Sequence, residues 1–198
     1  MTKKIFATIS VALALVLGVV APANAVVQQQ AQTPKLVDVN YIADDPVPAA
    51  ANGHYWKKIS DWYYQLGPTD NNWMKVRLAM QVNYINGVAH DVRSYHAVTC
   101  TVNGRPDQGG DPYPCSYLIY QRLDEKIVGG NVWDPVDGLG TDMNNTGADG
   151  FYSRYGHWYL VAGHCDNFRV WAFIDDQGLA GYVSPYTEEH TTPEWSYC

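Results

Sequence analysis

Met74-Lys75-Val76-Arg77-Leu78-Ala79-Met80-Gln81-Val82-Asn83-Tyr84 decides the fold. Every even position is apolar or aromatic, while Lys75, Arg77, Gln81 and Asn83 occupy odd ones. Side chains of a β-strand point alternately to its two faces, so a period of two predicts a long antiparallel strand, half-buried, with the odd face toward water. Asn86-Gly87 follows almost at once, after Ile85, and both residues suit the positive φ angles of a two-residue hairpin turn. His96 to Asn103 alternates again, with Val98, Cys100 and Val102 on one side. Ser116 to Leu123, Gly156 to Ala162, Phe168 to Ile174 and Leu179 to Ser184 read as further strands between Gly, Pro, Asp and Asn clusters. The expected fold is mostly β, an antiparallel sandwich or small barrel.

Upstream of this region one segment carries a different period. Tyr55, Trp56, Ile59, Trp62, Tyr63 and Leu66 recur at steps of three and four, which predicts an amphipathic helix over His54 to Leu66, packed on a sheet. Asn52 supplies an N-cap, and Gly67-Pro68 ends the apolar stripe. Residues 26–51 are rich in Gln, Ala and Pro, and read as a flexible linker or pro-segment with at most one short strand at Leu36 to Val39. The folded domain is then 52–198.

Residues 1–25 have the form of an export signal: Lys3 and Lys4, an apolar run from Ile5 to Val20, and Ala23-Asn24-Ala25 as the cleavage site. The apolar run is short for a membrane span. The expected protein is therefore secreted and extracellular. Lys3 and Lys4 leave with the signal, so 11 basic side chains face 20 acidic ones, a balance of −9. Phosphate contact depends on Lys and Arg, so this balance sets nucleic acid aside as a partner, and anionic membrane surfaces with it.

Cys100, Cys115, Cys165 and Cys198 all lie beyond the signal. An even count in an oxidising compartment predicts two disulfides. Four cysteines allow three pairings; closing local loops favours Cys100–Cys115 and Cys165–Cys198. Seven Trp and 15 Tyr against four Phe fit strands, and equally a binding surface, because these rings pair an apolar body with a polar tip.

Val132-Trp133, Val136-Asp137 and Gly138-Leu139-Gly140 are echoed by Val170-Trp171, Ile174-Asp175 and Gly178-Leu179-Ala180. The second copy continues as Gly181-Tyr182-Val183-Ser184-Pro185-Tyr186. From Arg169 to Tyr186 this resembles the closing hairpin of bacterial SH3-like domains that attach exported proteins to cell walls, although the Arg-Ser-Gly opening of that family is missing. The resemblance implies cell-wall glycan or peptide binding, with Trp171, Tyr182 and Tyr186 as the matching aromatics. Trp133, from the first copy, joins them as a candidate ligand-binding residue. A second resemblance, to secreted subtilisin inhibitors, rests on Tyr95 to Cys115, where Ala97-Val98-Thr99-Cys100 leads into a Gly/Pro loop.

Asp134 to Gly150 reads as a polar loop. Asp142, Asn144 and Asp149 make it a candidate calcium site, since calcium takes six to eight oxygens on a flexible backbone. Asp142-x-Asn144-x-Thr146-Gly147 opens like an EF-hand loop, but its twelfth position is Ser153 and not a bidentate Glu. No other cofactor is called for. The histidines, His90, His96, His157 and His164 among them, form no zinc motif. No G-x-S-x-G elbow is present. No catalytic residue stands out. The sequence thus points to a secreted, non-enzymatic binding protein at bacterial surfaces or envelopes, either a cell-wall binder or an antibacterial protein of bacteriocin type that engages a target-cell component. A secreted protease inhibitor and a small secreted hydrolase are the alternatives.

Overall fold

The computed structural model describes residues 35–66, 71–161, 163, 165–175 and 187–198, all within one compact unit. The signal segment lies outside the described residues. So do Leu179 to Ser184, Tyr182, Tyr186 and His164.

The alternating stretch is the middle of strand β3 (Asn72–Ile85). It sits at the centre of a seven-stranded antiparallel sheet, between β2 (Gly53–Gln65) and β4 (Val88–Val102). Asn86 and Gly87 turn the chain with φ angles of 53° and 79°, as the hairpin signal requires. Glycine is needed at the second position for a further reason: a Cβ there would collide with the backbone of Ala49. Beyond β2 lies the edge strand β1 (Lys35–Ile42). On the far side of β4 lie β5 (Asp111–Pro112), β8 (Phe151–Tyr155) and β9 (Tyr159–Leu160).

The second sheet runs β11 (Thr187–Thr191), β10 (Asp166–Asp175), β6 (Ser116–Ile127) and β7 (Asp134–Asn145), with β12 (Trp195–Tyr197) paired to the start of β10. The two sheets pack face to face. Met74, Val76, Leu78, Met80 and Val82 from β3 meet Tyr117, Ile119 and Leu123 from β6 and Phe168, Val170 and Ile174 from β10 in one buried core. These are the even positions of the deciding stretch, on the face the alternation assigns to the core. The architecture is an antiparallel β-sandwich.

The helix expected over His54 to Leu66 is absent, and the segment is strand β2. One extra residue accounts for its helical spacing. Lys58, with φ 53°, forms a β-bulge, and the register against β3 slips between Lys57 and Ser60. Tyr55 lies on the inner face before the bulge, opposite Val82, while Trp62 and Tyr64 lie on it afterwards, opposite Val76 and Met74. Trp56 and Ile59 pack on the outer face. Aromatics on both faces, with a parity change between them, produce steps of three and four that imitate one helical stripe. No α-helix occurs among the described residues, and none of their helices is long and apolar enough to cross a membrane.

Two further expectations change. The segment read as a linker contributes β1, which pairs with β2 from Lys35 to Ile42, so the folded unit begins before Asn52. The polar stretch from Asp134 is not a loop but strand β7, held along β6 from Asp134 to Asn145. Of the strand expected over Gly156 to Ala162, the described residues 156–161 keep Tyr159–Leu160 as β9, and Ala162 lies outside the described residues.

Both disulfides pair by local loop closure. Cys100, near the end of β4, joins Cys115, just before β6, where the chain passes from one sheet to the other. Cys165, just before β10, joins Cys198, just after β12. In the chain-entropy model a loop of about 15 residues contributes roughly 3 kcal/mol.

Candidate functional site

The odd positions of β3 do not simply face water. They form the middle of a trough on the outer face of the seven-stranded sheet. Register aligns its rows across the strands: Tyr63, Lys75, Thr99 and Phe151 in one, and Asp61, Arg77, Ala97 and Ser153 in the next. Ala79, Tyr95 and Tyr155 come after these, and then Trp56, Gln81 and Arg93. The floor is made of small side chains, Ala79, Ala97, Thr99 and Ser153. Rings stand on both sides, and this contrast in size hollows the sheet. Two adjoining clefts of about 190 Å³ and 120 Å³ share Arg77 and Tyr95.

One wall is a cluster of three rings. Trp56 and Tyr95 meet edge to face at 4.8 Å between centroids, Tyr95 and Tyr155 lie 4.9 Å apart, and Trp56 stacks on Tyr155 at 6.1 Å. Such pairs hold one another in place beyond their area of burial, which makes a rigid wall. Tyr63 and Phe151 stand at the opposite end.

Charge in the trough is organised around Asp61, 1% exposed. Arg77 donates to it through Nε at 2.7 Å and Nη2 at 2.9 Å, and Lys75 Nζ lies 2.8 Å from Oδ2. Burial opposes ionisation of this carboxyl, yet the hydrogen bonds and charges of Arg77 and Lys75 outweigh it and hold Asp61 below the usual carboxylate range. Two cations against one carboxylate leave a surplus positive charge on the trough floor. Arg93 adds another. Its guanidinium lies between Tyr155 and Trp158, 3.9 Å and 4.3 Å from their centroids, and donates to Gln81 Oε1. Its described partners are neutral, and burial lowers its pKa. A chain of net charge −7 thus concentrates positive charge and aromatic rings on one face.

Trp133 and Trp171 lie elsewhere, each against cationic side chains on the outer face of the second sheet. Arg122 lies 4.1 Å from the Trp171 centroid; Arg169 and Lys126 lie 4.2 Å and 4.5 Å from that of Trp133. Arg122 and Arg169 both pair with Asp124, which is fully buried. Here cations lie over both indole rings, as Arg93 lies over Tyr155 in the trough. Of the calcium candidates, Asp149 is exposed and caps a turn by accepting from the Phe151 amide at 3.2 Å. The Asp142 and Asn144 backbones lie in β7, opposite Ile119 and Tyr117, and their side chains fall outside the described residues. No group of three His, Cys, Asp or Glu side chains able to hold a metal occurs among the described residues.

The histidines are dispersed. His157 is exposed and pairs with Asp137, and His90 pairs with Asp91. His96 is in the core, where Nδ1 meets Gln121 Oε1 at 2.6 Å and Gln121 in turn donates to Ser94 Oγ at 3.0 Å. Burial drives the His96 pKa down to about 4, so the ring is neutral at pH 7. His190 packs at a tilt against Trp62 and joins Tyr64 and Glu188 in a part-buried polar cluster.

No known family model, curated protein or solved structure matches this chain. By fold and site it is a disulfide-braced antiparallel sandwich carrying a cationic, aromatic-walled trough. The trough escapes a reading by composition because its parts come from β2, β3, β4 and β8. The signal that points to it is the charged odd face of Met74 to Tyr84, folded against Arg93, Tyr95, Ala97 and Thr99 by the Asn86-Gly87 turn.

Proposed function

We propose that this chain is an exported, non-enzymatic binding protein that works at the surface or in the envelope of bacterial cells, with the trough as its ligand face. The observation that carries this reading is the trough itself. Its rigid rings give contact area at little cost in conformational entropy, and the small floor admits an extended ligand. Two disulfides fit an oxidising compartment, and a braced sandwich keeps the wall residues in register without a ligand. The cell-wall binder and the bacteriocin-type protein share this face and differ in whether binding harms the target cell.

The test is sedimentation of the oxidised chain with purified bacterial envelopes. Thr99 is half-buried on the trough floor, so Thr99→Trp fills the hollow from within. Wild type is expected in the pellet and Thr99→Trp in the supernatant. Equal pelleting of the two removes the trough from the function, and wild type left in solution removes the envelope.

A further inference from the structure

The trough has a chemistry narrower than binding in general, and resting on the envelope reading above we propose that it takes an acidic glycan: carboxylates pair with the Lys75–Arg77 pole and with Arg93, while sugar rings lie along the wall of Trp56, Tyr95 and Tyr155.

Three features converge on that class. The first is charge without a full complement of partners among the described residues. Asp61 neutralises one of the two cations beside it, and the hydrogen-bond and ring partners of Arg93 are Gln81, Tyr155 and Trp158. An anion entering the trough meets donors that are partly desolvated and held in direction by Asp61 and Gln81, which favours charge-assisted hydrogen bonds. The second is spacing. Ala97, opposite Arg77, and Arg93 are four residues apart on β4, about 13 Å along a strand. Two positive poles that far apart suit a chain of sugars better than a single anion. The third is the surface between the poles. Tyr95 lines both clefts, and beside Arg77 the small side chains of Ala79 and Ala97 complete an apolar stretch of floor. Aromatic walls beside a stretch of small apolar side chains suit the C–H faces of sugar rings. An acidic peptide would satisfy the poles, but its backbone amides would find few partners on this floor.

The probe is a short oligogalacturonate, titrated calorimetrically into the full oxidised chain, beside its carboxyl-reduced neutral counterpart and a glutamate oligomer of equal charge. The uronate is expected to bind at least tenfold more tightly than the neutral oligomer and than the glutamate oligomer, with affinity falling as salt is raised. Lys75→Met keeps the Arg77–Asp61 pair and is expected to weaken uronate binding at least fivefold, as is Arg93→Met. Lys126→Met, on the other sheet, is expected to bind as wild type does. Far-ultraviolet circular dichroism and the urea midpoint of each variant separate lost binding from lost fold. Equal affinity for the neutral oligomer, preference for the glutamate oligomer, or no uronate binding by folded wild type overturns the proposal. Envelope sedimentation is scored separately. Wild type that pellets with envelopes but ignores uronate loses the acidic-glycan assignment and keeps the envelope reading. Wild type that binds uronate but not envelopes does the reverse.

Discussion

Arg77 and Asp61 sit opposite one another on β3 and β2, and the guanidinium grips both carboxylate oxygens, at 2.7 Å and 2.9 Å. The pair is a strut between strands and also the base of the trough. Asp61 has little exposure, so its charge is sustained by Arg77 and Lys75 rather than by water. Removing one member of a buried pair leaves the other without compensation. Asp61→Ala is therefore expected to cost on the order of 3 kcal/mol in urea unfolding, near the lower end for such pairs because Arg77 keeps some contact with solvent. Asp61→Asn, which keeps hydrogen-bond acceptance, is expected to cost less. A loss below about 1 kcal/mol for Asp61→Ala would show that Arg77 and Lys75 rehydrate freely.

Stability should fall in mild acid through His96. Its pKa in the folded chain is about 4, lowered from 6.5 by burial against the pull of Gln121. Between those values the unfolded chain holds the extra proton and the folded chain does not. Unfolding is thus favoured progressively as pH drops from about 6.5 toward 4, and the histidine has no effect above that window. The full effect is roughly 3 kcal/mol. His190 is lowered too, chiefly by burial, and acts in the same direction. Urea midpoints from pH 7 to pH 4 measure the slope. His96→Gln, which retains a donor for Gln121, is expected to flatten it; an unchanged slope in that variant assigns the acid sensitivity to other groups.

The two disulfides should differ in what their loss disturbs. Cys100–Cys115 ties the sheets together at a buried crossing, beside Thr146, whose hydroxyl accepts from the Cys115 amide. Cys165–Cys198 fastens β12 to the start of β10. Cys165→Ala with Cys198→Ala is expected to raise amide exchange at Ser196 and Tyr197 while leaving β3 protected. Cys100→Ala with Cys115→Ala is expected to lower global stability by about 2–4 kcal/mol. Uniform loss of protection in both double variants would contradict this division.

How much of this was legible in the chain depends on bulges. The deciding stretch gave β3 and its core face directly, because nothing interrupts its period of two. Asn86-Gly87 gave the hairpin, but a two-residue turn extended without interruption pairs Arg77 with His96. The ladder instead shifts by one residue between Asn83 and Tyr84, where His90 is the unpaired residue of β4. That shift puts Ala97 opposite Arg77 on the trough floor and sends His96 into the core. β2 hides for the same reason, through Lys58. A bulge is a property of two strands and what packs on them, so a single segment carries little mark of it. The ligand residues read from the Trp repeat were drawn from one strand and its echo. The trough needs four strands in register, and only the folded chain brings them together.

The bulge at Lys58 is itself open to test. A non-glycine residue at φ 53° costs roughly 1 kcal/mol or more, and Asp44 offsets part of this by accepting from the Lys58 amide at 2.7 Å. Lys58→Gly keeps that amide, relieves the strain and loses only the half-buried 3.6 Å ion pair with Asp44, so it is expected to be neutral or to stabilise by up to about 1 kcal/mol. Lys58→Val places a β-branched side chain in the same conformation and is expected to destabilise by about 1–2 kcal/mol. Deleting Lys58 has a sharper consequence. With β3 and the start of β2 held in place, loss of one residue sends Trp62 and Tyr64 to the trough and Asp61 into the core, or else breaks the pairing of the later part of β2 with β1 and β3. Urea denaturation monitored by tryptophan fluorescence is expected to order the variants as Lys58→Gly at or above wild type, then Lys58→Val, then the deletion. A deletion as stable as wild type would mean that the parity of β2 is set somewhere other than this residue.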